Sequence, residues 1–216
     1  MDGGGTSSPP QTTSLFSLQM KILPLLSLTL LTTTSVVGLQ TQAQAADMTQ
    51  QSKSALTQIY NHYKIDKAHW ELLVAVAKKG TVVKFGGSSC DSWTDKDGTE
   101  WVTQGYYGWD GKGKTEMVFC PAIQGKANLQ QTIRHEVGHK IQDLKDGGRG
   151  DGRLTAFYNT KDPEFWSFYK GSNKIDHQYV ESYKKQGDLA TYRLEADAEV
   201  QSTETAEQLT IRLFQF

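Results

Sequence analysis

The sequence predicts an α+β fold, in which several amphipathic helices surround a small antiparallel or mixed sheet. Apolar residues recur at helical spacing over residues 48–63 and again over 128–144. Between these segments, two short runs rich in aromatic and β-branched residues flank residues 110–113, whose Asp-Gly-Lys-Gly sequence is typical of a hairpin turn. The 216 residues are 37% hydrophobic and 22% charged, as in soluble globular proteins.

The first half of the chain predicts two helices followed by a strand. The first helix runs from Met48 to about Tyr63, with Asp47 as its N-cap. The second covers residues 67–80, where Gly80 suits the left-handed conformation that often ends a helix. A short strand is expected at 81–85 and a loop at 90–98.

The second half is predicted to be mainly helical. After the hairpin, the longest helix covers about residues 128–144. Asp162 and Pro163 are typical of a helix start, and they predict a short helix there. Two more helices are expected at about 174–185 and 189–213.

The N-terminal segment has the layout of a secretory signal peptide. Residues 1–19 are polar and of low complexity, so Met20 is a plausible true start. Residues 20–45 then combine Lys21, an apolar stretch and a small-residue site, which predicts cleavage after Ala45. The alternative is that the segment stays as an N-terminal membrane anchor.

Cleavage would release residues 46–216 as a single compact domain in the secreted or periplasmic space, with no stable membrane insertion. The formal net charge of −1 gives no reason to expect nucleic acid as a partner. The oligomeric state has no sequence signal. The two cysteines, Cys90 and Cys120, predict a disulfide in an exported protein, although two buried thiols are the alternative.

The sequence His-Glu-Val-Gly-His at residues 135–139 is the strongest functional signal. On a helix, His135 and His139 project from the same face, so both imidazoles can bind one tetrahedral Zn²⁺ ion. Glu136 lies beside them, within reach of a water in the site. The alternative is an ordinary surface helix with two solvated histidines.

This motif resembles the signature of zincin metallopeptidases, and the segment from Met117 onward looks like the strand, loop and active-site helix of that fold. The resemblance implies a zincin-like α+β domain with a downstream ligand helix, a Zn²⁺ cofactor and a protein or peptide substrate. It further implies Glu136 as the general base. It also implies that residues 116–120 form an edge strand, to which the peptide adds as a further strand.

The third zinc ligand is expected on the acidic helix near the C-terminus. Glu195 and Glu199 are four residues apart and share a helix face. This arrangement is similar to that of gluzincins, which implies that Glu195 binds the metal and Glu199 orients a ligand histidine. His177 is the rival third ligand. Asp197 faces another side of the helix and is expected to be a solvated charge. An exposed charged face is the alternative for the whole acidic segment.

Stabilisation of the developing oxyanion needs a further donor. No His or Tyr follows Glu199, so the candidates lie upstream, and His177 and Tyr179 are the two preferred. Two other functions remain open. The first is a non-catalytic module with a degenerate or structural metal site. The second is a zinc hydrolase of a non-peptide amide such as cell-wall material.

Overall fold

The computed structural model describes residues 48–94, 98, 100–110, 114–147 and 159–216. The predicted signal peptide therefore lies outside the described residues, as does most of the predicted hairpin turn. The described residues form a mixed α+β fold, as predicted, with seven α-helices. These are α1 (Gln50–Tyr63), α2 (Lys67–Lys78), α3 (Gly125–Lys145), α4 (Pro163–Gly171), α5 (His177–Lys185), α6 (Leu189–Ser202) and α7 (Ala206–Leu213).

Five short strands form two sheets in the described part of the chain. The larger sheet has three strands in the order β1-β5-β4, with β1 parallel and β4 antiparallel to β5. Strands β2 and β3 pair with each other in a small antiparallel ribbon. The strands are β1 (Val82–Phe85), β2 (Ser92–Thr94), β3 (Glu100–Val102), β4 (Gly105–Trp109) and β5 (Thr115–Phe119).

The sheet corrects two predictions. Strand β5 was expected at an edge, but it lies between β1 and β4, so residues 116–119 have no free edge for a peptide. The parallel pairing with β1, which joins Val83 to Met117, occupies that side, and such long-range pairing has no local sequence signal. The segment predicted as a loop over 90–98 contains β2, because Ser92–Thr94 finds a partner in β3.

Helices α1 and α2 follow the predicted bounds closely. Thr49, rather than Asp47, caps α1, because its side chain accepts a hydrogen bond from the backbone N–H of Ser52. Asp66 caps α2 in the same way. Gly80 has a φ of +83°, which confirms the predicted left-handed residue after α2.

Helix α3 runs through the main hydrophobic core. Val137 and Ile141 are fully buried there, and Leu144 packs against the same core. The helix rests on strand β4 at Gly105, where an added Cβ would lie 2.8 Å from Cγ2 of Thr132. Glycine at this position therefore allows α3 to approach the sheet closely.

The C-terminal region differs from its prediction at one point. The single helix expected over 189–213 is divided in two, since α6 ends at Ser202 and Thr205 caps α7 through a capping box with Gln208. Helix α4 begins as predicted, with Asp162 as its N-cap and Pro163 as its first residue. Among the described residues, no helix has both the length and the apolar character to cross a membrane.

The sulfur atoms of Cys90 and Cys120 lie 2.09 Å apart, at disulfide distance, as the predicted disulfide requires. Cys120 follows β5 directly and is fully buried, and it is 30 residues from Cys90. The bond therefore ties the segment after β1 to the segment that leads into α3.

Candidate metal centre

Helices α3 and α6 bring together three side chains of types that can bind a metal ion. His135 and His139 come from α3, and Glu195 comes from α6. Their ligand atoms all lie within 4.8 Å of one another, and no other residues in the described part of the chain form such a group. The group could therefore hold a metal ion, and its three members are the predicted ones.

The distances within this cluster are short. Nε2 of His135 lies 3.1 Å from Nε2 of His139 and 3.1 Å from Oε2 of Glu195. Nε2 of His139 lies 3.5 Å from Oε1 of Glu195. All three side chains are buried, with at most 1% of each exposed, so the alternative of solvated surface histidines is wrong.

Glycine at position 138 makes the close packing of α3 on α6 possible. A Cβ added to Gly138 would lie 3.1 Å from Cα and 3.2 Å from the carbonyl oxygen of Ala198. Both are backbone atoms of α6, which cannot move aside separately. This contact lies between the two histidines and the helix that carries Glu195.

The acidic segment of α6 is buried, so the alternative of an exposed charged face is wrong. Glu195 and Glu199 are fully buried, and only 2% of Asp197 is exposed. Because Ala196 and Ala198 are also fully buried, the helix is covered on several sides. The sequence does not predict this burial, because alternating acidic residues and alanines over 195–199 do not form an apolar face at helical spacing.

Glu199 lies where a residue that orients His135 is expected. Its Oε1 is 2.9 Å from Nδ1 of His135, within ion-pair distance although the two groups are not aligned as a hydrogen bond. A carboxylate can only accept, so this contact favours a proton on Nδ1 and leaves Nε2 of His135 facing the cluster.

The electrostatics of the cluster favour a cation. Burial works against ionisation of Glu195, but the attraction of His139 and His135, which both lie against its carboxylate, lowers its pKa to about 2. Burial also works against a charged His135, yet Glu195 and Glu199 raise its pKa well above the usual value. Buried carboxylates therefore create a strong demand for positive charge at this point.

The donor set fits a metal ion. Two imidazole nitrogens and a carboxylate oxygen point at one another, and Oε1 of Glu195 has no hydrogen-bond partner in the described residues. An unpaired buried carboxylate oxygen is costly without a cation. His139, His135 and Glu195 match the two-histidine, one-glutamate set of catalytic zinc sites.

Glu136 is buried beside the cluster formed by His135, His139 and Glu195. Burial raises its pKa to about 7, against the attraction of His135 and His139. The main-chain N–H of Tyr107 on β4 donates a hydrogen bond to it. Its Oε2 has no hydrogen-bond partner in the described residues, so this oxygen can accept from a bound molecule.

The two predicted oxyanion donors have different surroundings. The ring of Tyr179 lies 6.2 Å from that of His135, and its hydroxyl is 3.3 Å from the hydroxyl of Tyr183. Burial raises the pKa of Tyr179 well above its usual value, as does the charge of Glu195, so the hydroxyl keeps its proton. His177 is outside the donor cluster, and its Nε2 lies 2.9 Å from the carbonyl oxygen of Ser172.

Two further residues of the site, Gln142 and Asp197, were not predicted from the sequence. Oε1 of Gln142 lies 2.8 Å from Nδ1 of His139, and Nε2 of Gln142 donates to Oδ2 of Asp197. Asp197 was predicted to be a solvated charge, but it is buried because α6 packs on α3 at this level. The only available signal was the position of Gln142, one turn after His139 on the same helix.

Comparison with protein-family models, curated protein sequences and solved structures finds no match to this chain.

Proposed function

We propose that this chain is an exported zinc metallopeptidase. The observation that carries the proposal is the convergence of His135, His139 and Glu195 beside Glu136. The resemblance of residues 135–139 to the zincin motif points to peptide hydrolysis, and the position of Glu195 beside both histidines supports it as the third ligand. This arrangement supports hydrolysis of an amide bond.

Zinc is the proposed ion because the donors are two nitrogens and one oxygen. Calcium and magnesium prefer sites made of oxygen alone. His135, His139 and Glu195 would hold the ion and leave one coordination position for water or substrate. When bound, zinc supplies Lewis acidity, which activates water and polarises a carbonyl group.

Glu136 is the proposed general base. Burial raises the pKa of Glu136 to about 7 in the metal-free site. The charge of a bound ion would lower that pKa and keep the carboxylate ionised, as a base requires. Its free Oε2 can take a proton from water and return it to the leaving amine. Tyr179 is the preferred donor to the oxyanion, since its buried hydroxyl stays protonated beside the cluster.

The outer edge of β4 is the proposed place for a peptide substrate. Within the sheet, the N–H of Cys120 donates to the carbonyl oxygen of Gln104, and the N–H of Asp110 donates to that of Lys114. The even-numbered residues of 104–110 therefore make the main-chain hydrogen bonds to β5. Gly105, Tyr107 and Trp109 therefore direct their main-chain groups to the other side. The N–H of Tyr107 reaches Glu136 from that side, which places this edge along the site. No strand of the described residues pairs with it.

Export remains part of the proposal. The layout of residues 20–45 is typical of a signal peptide. The cysteine pair at bonding distance supports an oxidising compartment, where disulfides persist.

A test of this function compares the native protein with Glu136→Gln. The amide keeps the size of the side chain but cannot act as a base, so zinc binding should persist while peptide hydrolysis falls by roughly 100-fold or more. Hydrolysis of a casein or mixed peptide library, measured beside zinc content, checks both. Native-level hydrolysis by Glu136→Gln would contradict the mechanism. Parallel digestion of cell-wall fragments would reveal a non-peptide amide substrate.

A purely structural zinc site is the second candidate, and the burial of the cluster favours it. Structural sites have four protein ligands and exclude water. Cobalt substitution separates the two functions, because a spectrum that changes on adding a hydroxamate shows an exchangeable position. An unchanged spectrum would identify a closed site.

A further inference from the structure

Gln142 lies one turn after His139 on α3 and is fully buried. Its Nε2 is 2.9 Å from the carbonyl oxygen of Leu194 and 2.9 Å from Oδ2 of Asp197. Both of these groups on α6 are acceptors, so the amide nitrogen must face them. The amide oxygen of Gln142 must then face His139.

This orientation determines which nitrogen of His139 carries its proton. Oε1 of Gln142 lies 2.8 Å from Nδ1 of His139, and an amide oxygen can only accept. Nδ1 is therefore the protonated nitrogen. Nε2, with its lone pair, faces His135 and Glu195 in the geometry needed to bind a metal.

We propose that Gln142 is a positioning residue of the metal site, and that Asp197 sets its orientation. The proposal rests on the metal site described above. Asp197 holds the amide nitrogen, the amide oxygen holds Nδ1–H of His139, and Nε2 of His139 is left to bind. Gln201 steadies Asp197 in turn, since its Nε2 donates to Oδ2 of Asp197 at 2.6 Å.

The two histidines are thus oriented by different chemistry. His135 has a carboxylate, Glu199, beside its Nδ1, whereas His139 has a neutral amide. A carboxylate at position 142 would lie beside Asp197 and repel it in a buried environment, and it could not donate to Leu194. An amide meets both requirements, because it donates at one end and accepts at the other.

The test measures zinc affinity and the tautomer of His139 in three variants. Gln142→Met keeps the length of the side chain but removes both hydrogen-bonding ends, so zinc should bind roughly 10 to 100 times more weakly. Asp197→Asn lets the amide of Gln142 turn over, so a smaller loss is expected. Because Asp197 acts through Gln142, the double variant should bind zinc as weakly as Gln142→Met alone.

Nitrogen-15 shifts of the His139 ring in the metal-free protein provide the second readout. The native protein should carry the proton on Nδ1, and Gln142→Met should shift part of the population to Nε2–H. A merely structural role would lower the melting temperature without changing the tautomer. If Gln142→Met alters folding, Asp197→Asn decides the same question with a milder change.

Gln130→Met is the matched control. Gln130 lies on the same helix and its amide also donates to an aspartate, Asp66, but no ligand histidine accepts or donates at its other end. Its loss should leave zinc affinity and the His139 tautomer unchanged. A native tautomer in both Gln142→Met and Asp197→Asn would overturn the proposal. Failure of the native chain to bind zinc would instead overturn the proposed function, while the ring shifts would still decide the role of Gln142.

Discussion

At the scale of single residues, Gly138 controls how closely α3 and α6 pack. Alanine there gains about 1 kcal/mol in helix propensity but forces a methyl group against the backbone of Ala198. Overpacking of this kind costs about 1 to 3 kcal/mol, and backbone atoms leave little room to relax. We expect Gly138→Ala to lower the free energy of unfolding by about 1 kcal/mol and to weaken zinc binding, as measured by urea denaturation and metal competition.

Gly171→Ala is the control for this change. Gly171 is the last residue of α4, and a Cβ added there would meet no atom within 4 Å. This change should not lower the free energy of unfolding, because alanine has the better helix propensity and no clash opposes it. Equal stability of both variants would show that the contact at Ala198 is not as tight as the structure has it.

The residues of the site differ in how far the sequence could predict them. His135, His139 and Glu136 are fixed by local spacing on one helix, so their arrangement follows from helical geometry. The assignment of Glu195 as a ligand rested on the similarity to gluzincins, because its distance from α3 depends on the fold. Gln142 and Asp197 escaped prediction, since burial of a polar side chain depends on a partner from another helix. The structure shows this partner, because it places Gln142 of α3 against Asp197 of α6.

At the scale of elements, the start of α2 joins three helices through a polar chain. Asp66 lies 2.7 Å from Nδ1 of His69, and Nε2 of His69 lies 2.9 Å from the guanidinium of Arg134 on α3. Arg134 also donates to the carbonyl oxygen of Ser202 at the end of α6. Because a guanidinium can only donate, this chain requires a neutral His69.

This chain predicts a pH dependence of stability. Burial lowers the pKa of His69, so the folded state binds fewer protons than the unfolded state, whose pKa is about 6.5. The stability that His69 contributes is complete above pH 6.5 and is lost as the pH falls through the folded pKa. We expect urea denaturation to show a steeper loss of stability as the pH falls below about 6.5 for the native protein than for His69→Gln.

His62→Gln serves as the control, because His62 is exposed on α1. Its pH dependence should match that of the native protein. Identical pH dependence in His69→Gln and the native protein would contradict the role given to His69.

The elements also show where sequence patterns stop being informative. The bounds of α1, α2 and α4 follow from caps and apolar spacing, which are local signals. The position of β5 within the sheet does not, because its parallel partner β1 is more than 30 residues earlier. The division between α6 and α7 depends on the capping box at Thr205 and Gln208, whose Thr-x-x-Gln pattern was visible but interrupted an otherwise helical segment.

At the scale of the whole molecule, the disulfide contributes through the unfolded state. Closing a loop between residues 30 apart stabilises a fold by about 3 to 4 kcal/mol in the chain-entropy model. We expect the double variant Cys90→Ser and Cys120→Ser to lose stability of that order in urea denaturation. The native protein in reducing agent should behave like the variant. No difference between oxidised native protein and variant would contradict a disulfide.

Metal binding should be coupled to folding, because the ligands come from helices far apart in the chain. An ion that binds only the folded state adds about 2.7 kcal/mol at a free concentration 100 times its Kd. For a chain of this size, that corresponds to an increase in Tm of about 5 to 10 °C. We expect calorimetry to show this shift for the native protein with zinc, and none for His139→Ala. Equal shifts in both would place the bound metal elsewhere.

The central claim is that His135, His139 and Glu195 form one zinc site, and the zinc content of purified residues 46–216 tests it most directly. The native protein should contain one equivalent of zinc after dialysis, and Glu195→Ala should lose most of it. His177→Ala should retain the metal, because His177 lies outside the cluster. Zinc kept in full by Glu195→Ala, or absent from the native protein, would contradict the account.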